Sequence, residues 1–275
     1  MICAWQPLLE ILPRWIADGT SISDREKIQE LRLRIGQLPE LNTECGRQKY
    51  GHRIQPSDLQ YVINAASRYS PWAAGTMVQG FLTAPGGHRI GVCGEAIVVN
   101  GIVTGIKNYT SLCIRIARDY PGIGSDISRN SDSILLLGPP GSGKTTMLRD
   151  VLRQIASKET VSVIDERSEI FPEGFQRCSG LDVLHGCGKS VGIEMVLRSM
   201  GPACIGVDEI TSESDCDSLI RAGWCGIRMI ATAHGNDLED LKRRPVYRKL
   251  WESGLFRQVV ILKRDKSWHM ERIRA

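Results

Sequence analysis

Long hydrophobic runs are missing from this sequence. No stretch approaches the roughly 20 apolar residues that cross a bilayer, so a membrane-spanning helix is not expected. The first residues, MICAWQPLLEILPRWI, lack a basic leader and a small-residue cleavage site, and they do not read as a signal peptide. Charge of one sign is also scarce: 35 basic against 31 acidic residues leave +4, too little for a dedicated nucleic-acid binder. Nine cysteines are present, but none of them has the Cys-x-x-Cys spacing of a zinc or redox site. They are scattered, several in apolar runs, and read as reduced, buried thiols of a cytoplasmic protein. Internal repeats and low-complexity tracts are absent. What is present is an ordinary globular composition, 42% hydrophobic and 24% charged, over 275 residues, a length that suggests two domains.

The composition changes near residue 125. Before it come short, glycine-punctuated segments. A helical stripe of Trp5, Leu8, Leu9, Leu12, Trp15 and Ile16 suits packing against its own domain, with contact to a partner or membrane surface as the other reading. Ser23 to Glu26 fits a capping box opening a short helix. Leu31 to Ile35 alternates like a strand, and Pro56 opens a helix with Leu59, Val62, Ile63 and Ala66 on one face. From Gln79 the chain reads as a hairpin turned at Pro85-Gly-Gly87, and Cys113 to Ala117 as a further strand. These predict a small α+β domain over residues 1–120, followed by a polar linker over 121–132. From 133 to 275, apolar strands at 134–138, 161–164, 204–207 and 229–232 alternate with helices at 145–156, 192–200 and 215–223. That alternation predicts an α/β fold with a parallel sheet covered on both faces.

The segment Gly138-Pro139-Pro140-Gly141-Ser142-Gly143-Lys144-Thr145 matches the phosphate-binding pattern G-x-x-x-x-G-K-[ST], with Thr146 next in the helix it opens. Its glycines let successive backbone N–H groups turn inward around phosphates, and the helix N-terminus adds positive potential. Lys144 would reach the β- and γ-phosphates of ATP, and Thr145 would offer its hydroxyl to Mg²⁺. After the strand Cys204 to Val207, Asp208 is the expected metal-side carboxylate and Glu209 the group that polarises the attacking water. His234, at the end of a predicted central strand, can sense the γ-phosphate or hold that water. Asp165 and Glu166 end another strand at the same edge, as metal-shell acids or as ion-pair partners of Arg167. An arginine completing the site can be sought at Arg115, Arg118, Arg89 or Arg198, of which Arg115 is the chosen candidate.

On these residues the chain resembles the stage III sporulation protein AA family, ATPases related to the secretion traffic ATPases of type II and type IV systems. The resemblance rests on Leu31 to Gly36, Gly80 to Gly94 and Ser111 to Asp119 in the first part. In the second it rests on the phosphate loop, Val163 to Ile170, Leu197 to Ile210 and Ala231 to Gly235. It implies a P-loop (RecA/AAA-like) ATPase domain preceded by the small α+β domain, and roles for Lys144, Thr145, Asp208, Glu209 and His234. It also implies a homohexameric ring on the mother-cell side of the membrane around the forespore, held there by membrane-embedded channel proteins, with no specific nucleic acid. The pattern leads one to expect an acid and a proline around His185 to Gly188, and a glycine at 211–212; this chain has neither. Two other readings are a nucleic-acid-associated motor, favoured only by basic residues at Lys242 to Arg244 and Arg257 to Arg274, and an ATP-gated scaffold with little hydrolysis.

Overall fold

The computed structural model describes residues 2–3, 5–67, 77, 80–172, 175 and 177–273. Gln79, where the hairpin was expected to start, and Arg274 lie outside them. The chain divides into two compact units, Met1–Asp119 with Pro172–Phe175, and Tyr120–Phe171 with Gln176–Ala275.

The first unit holds β1 (Ile2–Cys3), α1 (Trp5–Glu10), α2 (Arg14–Gly19), β2 (Ile28–Arg34), β3 (Glu40–Thr43), β4 (Gly46–Lys49) and α3 (Pro56–Ser67). After these come β5 (Phe81–Thr83), β6 (Arg89–Val99), β7 (Ile102–Arg115) and β8 (Arg118–Asp119). Six strands form an antiparallel sheet in the order β4-β3-β2-β7-β6-β5, and β1 pairs with β8. Alternation sorts its faces: Leu31, Leu33, Ile90, Val92, Leu112 and Ile114 point into the core with Leu8, Ile16, Leu59 and Val62. The N-terminal stripe therefore packs on its own unit. It does so as two short helices broken before Pro13, with Tyr50 donating to the Ile16 carbonyl at 3.0 Å. The helix expected at Ser23 to Glu26 is a single 3₁₀ turn, Arg25–Lys27, capped by Asp24 rather than Ser23. The hairpin turned at Pro85 to Gly87 forms between β5 and β6, and the further strand is longer than expected: β7 begins at Ile102, where exposed residues on both faces leave no one-sided apolar pattern.

The second unit opens with α4 (Ser125–Ser128) and β9 (Ile134–Gly138), then α5 (Lys144–Ala156), β10 (Val161–Asp165), β11 (Leu181–His185) and α6 (Lys189–Ser199). It continues with β12 (Cys204–Val207), α7 (Glu213–Trp224), β13 (Arg228–His234), α8 (Leu238–Arg243), α9 (Arg248–Glu252), β14 (Gln258–Leu262) and β15 (Trp268–Arg272). Its seven-stranded sheet runs β11-β10-β12-β13-β9-β14-β15, parallel except for β15. Along β9, Ile134 and Leu136 face α5, while Leu135 and Leu137 join the core beneath α6 and α7. Burial on both faces is why these strands read as continuous apolar runs. The polar stretch 121–132 carries α4, with Ile127 buried and the Gly124 N–H bonded to the Asp150 carboxylate at 2.8 Å.

The order of strands positions everything that follows. β13 lies between β12 and β9, so the residues ending these three strands meet at one edge. α5 is pressed against β12 at Gly206, where a Cβ would lie 2.3 Å from the Leu152 side chain. Gly206→Val should therefore cost about 2 kcal/mol through overpacking, seen as a fall of several degrees in the Tm by calorimetry.

Candidate nucleotide site

The loop Gly138 to Thr145 follows β9 and opens α5. Gly141 and Gly143 take φ of +76° and +99°, which residues with a Cβ rarely adopt. At Gly138 a Cβ would meet the Ser142 hydroxyl at 2.5 Å and the Leu262 carbonyl at 2.6 Å. The Ser142 hydroxyl oxygen is buried without a hydrogen-bond partner. Lys144 turns back over the loop, donating to the carbonyls of Gly138 at 2.8 Å and Pro139 at 3.1 Å. Burial pushes its ammonium pKa down, against the opposing pull of Asp208 and Glu209. A lysine held by neutral carbonyls beside an unsatisfied hydroxyl is a cradle suited to an anion. Pro140 supplies no N–H to the loop, and Thr146 sits in the first turn of α5.

The Thr145 hydroxyl donates to Asp208 Oδ2 at 2.7 Å. Hydroxyl and carboxylate form an all-oxygen donor pair that fits Mg²⁺, which takes one or two carboxylates and keeps its remaining positions for water and phosphate. The other oxygen of Asp208 accepts from Thr232 Oγ1, fully buried on β13. The same hydroxyl accepts from the Glu209 N–H at 2.7 Å, and the Thr232 carbonyl accepts from the Ile210 N–H at 2.9 Å. Glu209 is thereby held at φ +53°, a left-handed conformation unusual for a residue with a side chain. The kink sends its carboxylate toward β13. There Oε1 lies 2.8 Å from His234 Nε2, and Oε2 accepts from Arg167 Nη1 at 3.3 Å. His234 Nδ1 lies 3.1 Å from Lys144 Nζ. An ammonium only donates, so Nδ1 is the acceptor and Nε2 carries the proton given to Glu209.

Lys144, Thr145, Asp208, Glu209 and His234 are thus brought together, and Thr232, overlooked in the sequence, ties them. Its only signal was its place two residues before His234 on the same strand. The acids at the end of β10 serve other ends. Asp165 accepts from the N–H groups of Glu169, Ile170 and Phe171 at 2.8–3.1 Å, and Glu166 pairs with Lys189 at 2.7 Å. Arg167 pairs with Glu209 rather than with either of them. Thr211 and Ser212 stand without the expected glycine because both N–H groups donate to Asp215, whose helix Ser212 caps.

The arginine candidates differ in setting. Arg118 donates to the carbonyls of Glu26 and Ile28 at 2.7 and 2.8 Å, a structural use. Arg198 is exposed on α6, 3.6 Å from Glu194. Arg115, exposed on β7, stands directly across from Arg89 of β6, whose guanidinium lies over the Phe81 ring at 4.0 Å. Among the described residues no helix is long and apolar enough to cross a membrane.

A parallel sheet with a phosphate loop after one strand and an acidic pair after the next but one defines the P-loop fold. The fold matches that of the pilus retraction motor PilT, bound to ADP in its crystal structure, with a TM-score of 0.62 at 16% identity over 92% of this chain and 77% of that one. It also matches the Legionella pneumophila ATPase DotB, with a TM-score of 0.60 at 17% identity over 94% of this chain and 78% of that one. In sequence, residues 7–273 match the family "Sporulation stage III, protein AA". Stage III sporulation protein AA of Bacillus subtilis (strain 168) is 34% identical over 94% of this chain and 91% of its own. The chain belongs to that sporulation family and shares the fold of PilT and DotB.

Replacing Thr232 by Val keeps the shape and removes both hydroxyl bonds. Thr232→Val should cost about 1–3 kcal/mol of stability, through a buried N–H and a carboxylate left short of partners. Because Glu209 is then no longer held in place, nucleotide turnover should fall by much more than nucleotide affinity; titration calorimetry beside a steady-state assay measures both.

Proposed function

We propose that this chain is a Mg²⁺-dependent ATP hydrolase working as an oligomeric motor, a homohexameric ring, at a channel between mother cell and forespore. The observation that carries the reading is the hydrogen-bonded path Lys144–His234–Glu209 beside the Thr145–Asp208 pair. It unites in one site the groups that phosphoryl transfer to water requires.

In this reading Lys144 exchanges its carbonyl partners for the β- and γ-phosphates, and the N–H groups of Gly141 to Thr145 line the phosphate chain. Thr145 and Asp208 would hold Mg²⁺, which when bound would supply positive charge against the phosphates. Glu209 accepts a hydrogen bond from the attacking water and points it at the γ-phosphorus. His234 touches both Glu209 and Lys144, so it couples the state of the γ-phosphate to the position of the base. Arg115, with Arg89 beside it, is assigned to the γ-phosphate of a neighbouring copy. Arg115 is exposed at the end of β7, which leaves its guanidinium accessible to a phosphate. Membership of the sporulation family supports the place of action, and the fold shared with PilT and DotB supports the motor.

The test is specific ATPase activity against protein concentration, with Glu209→Gln as blank. Glu209→Gln should lower turnover at least about 100-fold and keep ATP binding. Activity should rise steeply with concentration, because sites are completed between copies. Mixing Arg115→Ala with Lys144→Ala should restore part of the activity that each lacks alone. Activity independent of concentration, with no rescue on mixing, removes the ring and the arginine in trans.

A further inference from the structure

The turn joining β14 to β15 runs over Lys263 to Ser267, within the basic C-terminal stretch that the nucleotide chemistry left unused. It is built tightly. Asp265 Oδ1 accepts from the Ser267 N–H at 3.0 Å and the Ser267 hydroxyl at 2.6 Å, and the Lys263 N–H donates to the Ser267 carbonyl at 2.9 Å. Lys266 closes the turn at φ +70°, a left-handed conformation that costs a lysine free energy. That conformation sends its side chain to the phosphate loop. The ammonium donates to the Gly141 carbonyl, and Cδ lies 4.0 Å from where a side chain on Gly143 would begin. Lys144 does the same with the Gly138 and Pro139 carbonyls. Two ammonium groups therefore bracket one loop, both resting on neutral carbonyls.

The sheet order says which end each lysine serves. β13, carrying His234, flanks β9 on one side, and β14, leading to Lys266, flanks it on the other. Glu209, His234 and Asp208 lie on the β13 side, so a γ-phosphate facing Glu209 directs the rest of the phosphate chain toward β14. A phosphate oxygen is a far stronger acceptor for an ammonium than a carbonyl exposed to water. We propose that Lys266 is a nucleotide-binding residue in cis, taking the α- and β-phosphates that ATP and ADP share. The inference rests on the reading of the site as a nucleotide site. It assigns Lys266 to retention of nucleotide rather than to sensing of the γ-phosphate.

The experiment is titration calorimetry of the full chain with ATP, ADP and adenosine, for wild type, Lys266→Ala, Lys266→Arg, Arg264→Ala and Lys144→Ala, with the Tm of each apo protein. Lys266→Ala should weaken ATP and ADP alike, by about 10- to 100-fold, leaving adenosine binding and the Tm unchanged. Lys266→Arg should recover most of the affinity, and Arg264→Ala, two residues away on the same turn, should bind as wild type. Unchanged ADP affinity in Lys266→Ala overturns the proposal, as does a loss confined to ATP. A loss shared by adenosine with a lowered Tm makes Lys266 a brace of the loop, and an equal loss in Arg264→Ala reduces the effect to diffuse charge. If Lys144→Ala loses nucleotide and Lys266→Ala does not, this inference alone fails. If wild type binds no more nucleotide than Lys144→Ala, the nucleotide reading fails with it.

Discussion

One buried hydroxyl sets the geometry of the site. Thr232 Oγ1 has a single hydrogen, which goes to Asp208, so its lone pair is left for the Glu209 N–H. That fixed polarity requires Asp208 to be an acceptor and makes the left-handed turn at Glu209 the conformation that satisfies every group. Strain of this kind costs of order 1–3 kcal/mol and persists only where the surroundings over-determine it. Here two hydrogen bonds from consecutive N–H groups to a single residue do so. The consequence is division of two adjacent carboxylates: Asp208 looks toward α5 and Thr145, and Glu209 toward His234. A regular strand would also have sent them apart, but onto opposite faces of the sheet rather than to two stations along one edge.

The remaining contacts sort by how readily they can be exchanged. The Arg167–Glu209 pair is solvent-accessible, with side-chain exposures of 58% and 34%, and such pairs contribute at most about 1 kcal/mol. Arg167 can leave Glu209 at little cost when another partner arrives. The Lys144 ammonium is more tightly placed, beneath the loop and stripped of water, and its lowered pKa records that its partners compensate incompletely. The unpartnered Ser142 hydroxyl gives the same sign by another route. Both groups gain from an anion, and neither needs the loop to move far to meet one.

The phosphate loop and the alternation of apolar strands with helices were legible in the sequence because each is set locally, by glycine freedom or by burial of both faces. The acidic segment at Asp165 was not, because a carboxylate used by backbone N–H groups has the same letters as one used by a metal. β11, β14 and β15 escaped for a related reason. β11 is a half-exposed edge strand with a broken apolar pattern, and β14 and β15 follow a basic stretch that masks their pairing. Thr232 passed unnoticed since threonine in a strand is ordinary, and only the neighbouring strand gives it a purpose. Lys266 looked like one of many surface cations until its backbone conformation aimed it.

Both units present cationic groups. In the second, an ammonium and a hydroxyl lack an anion. In the first, Arg89 and Arg115 face each other across a strand pair, and the carboxylate next in register, Glu30, already accepts from Arg32 at 2.6 Å and Asn42 at 2.9 Å. Those bonds hold Glu30 below the usual carboxylate range, ionised across from Arg115. In the proposed ring, one bound triphosphate accepts from Lys144 in one copy and from Arg115 in the next. Hydrolysis and release of the γ-phosphate would remove the acceptor that Arg115 reaches, and a contact that is favourable only while the phosphate is present is what a cycle of closure and release requires.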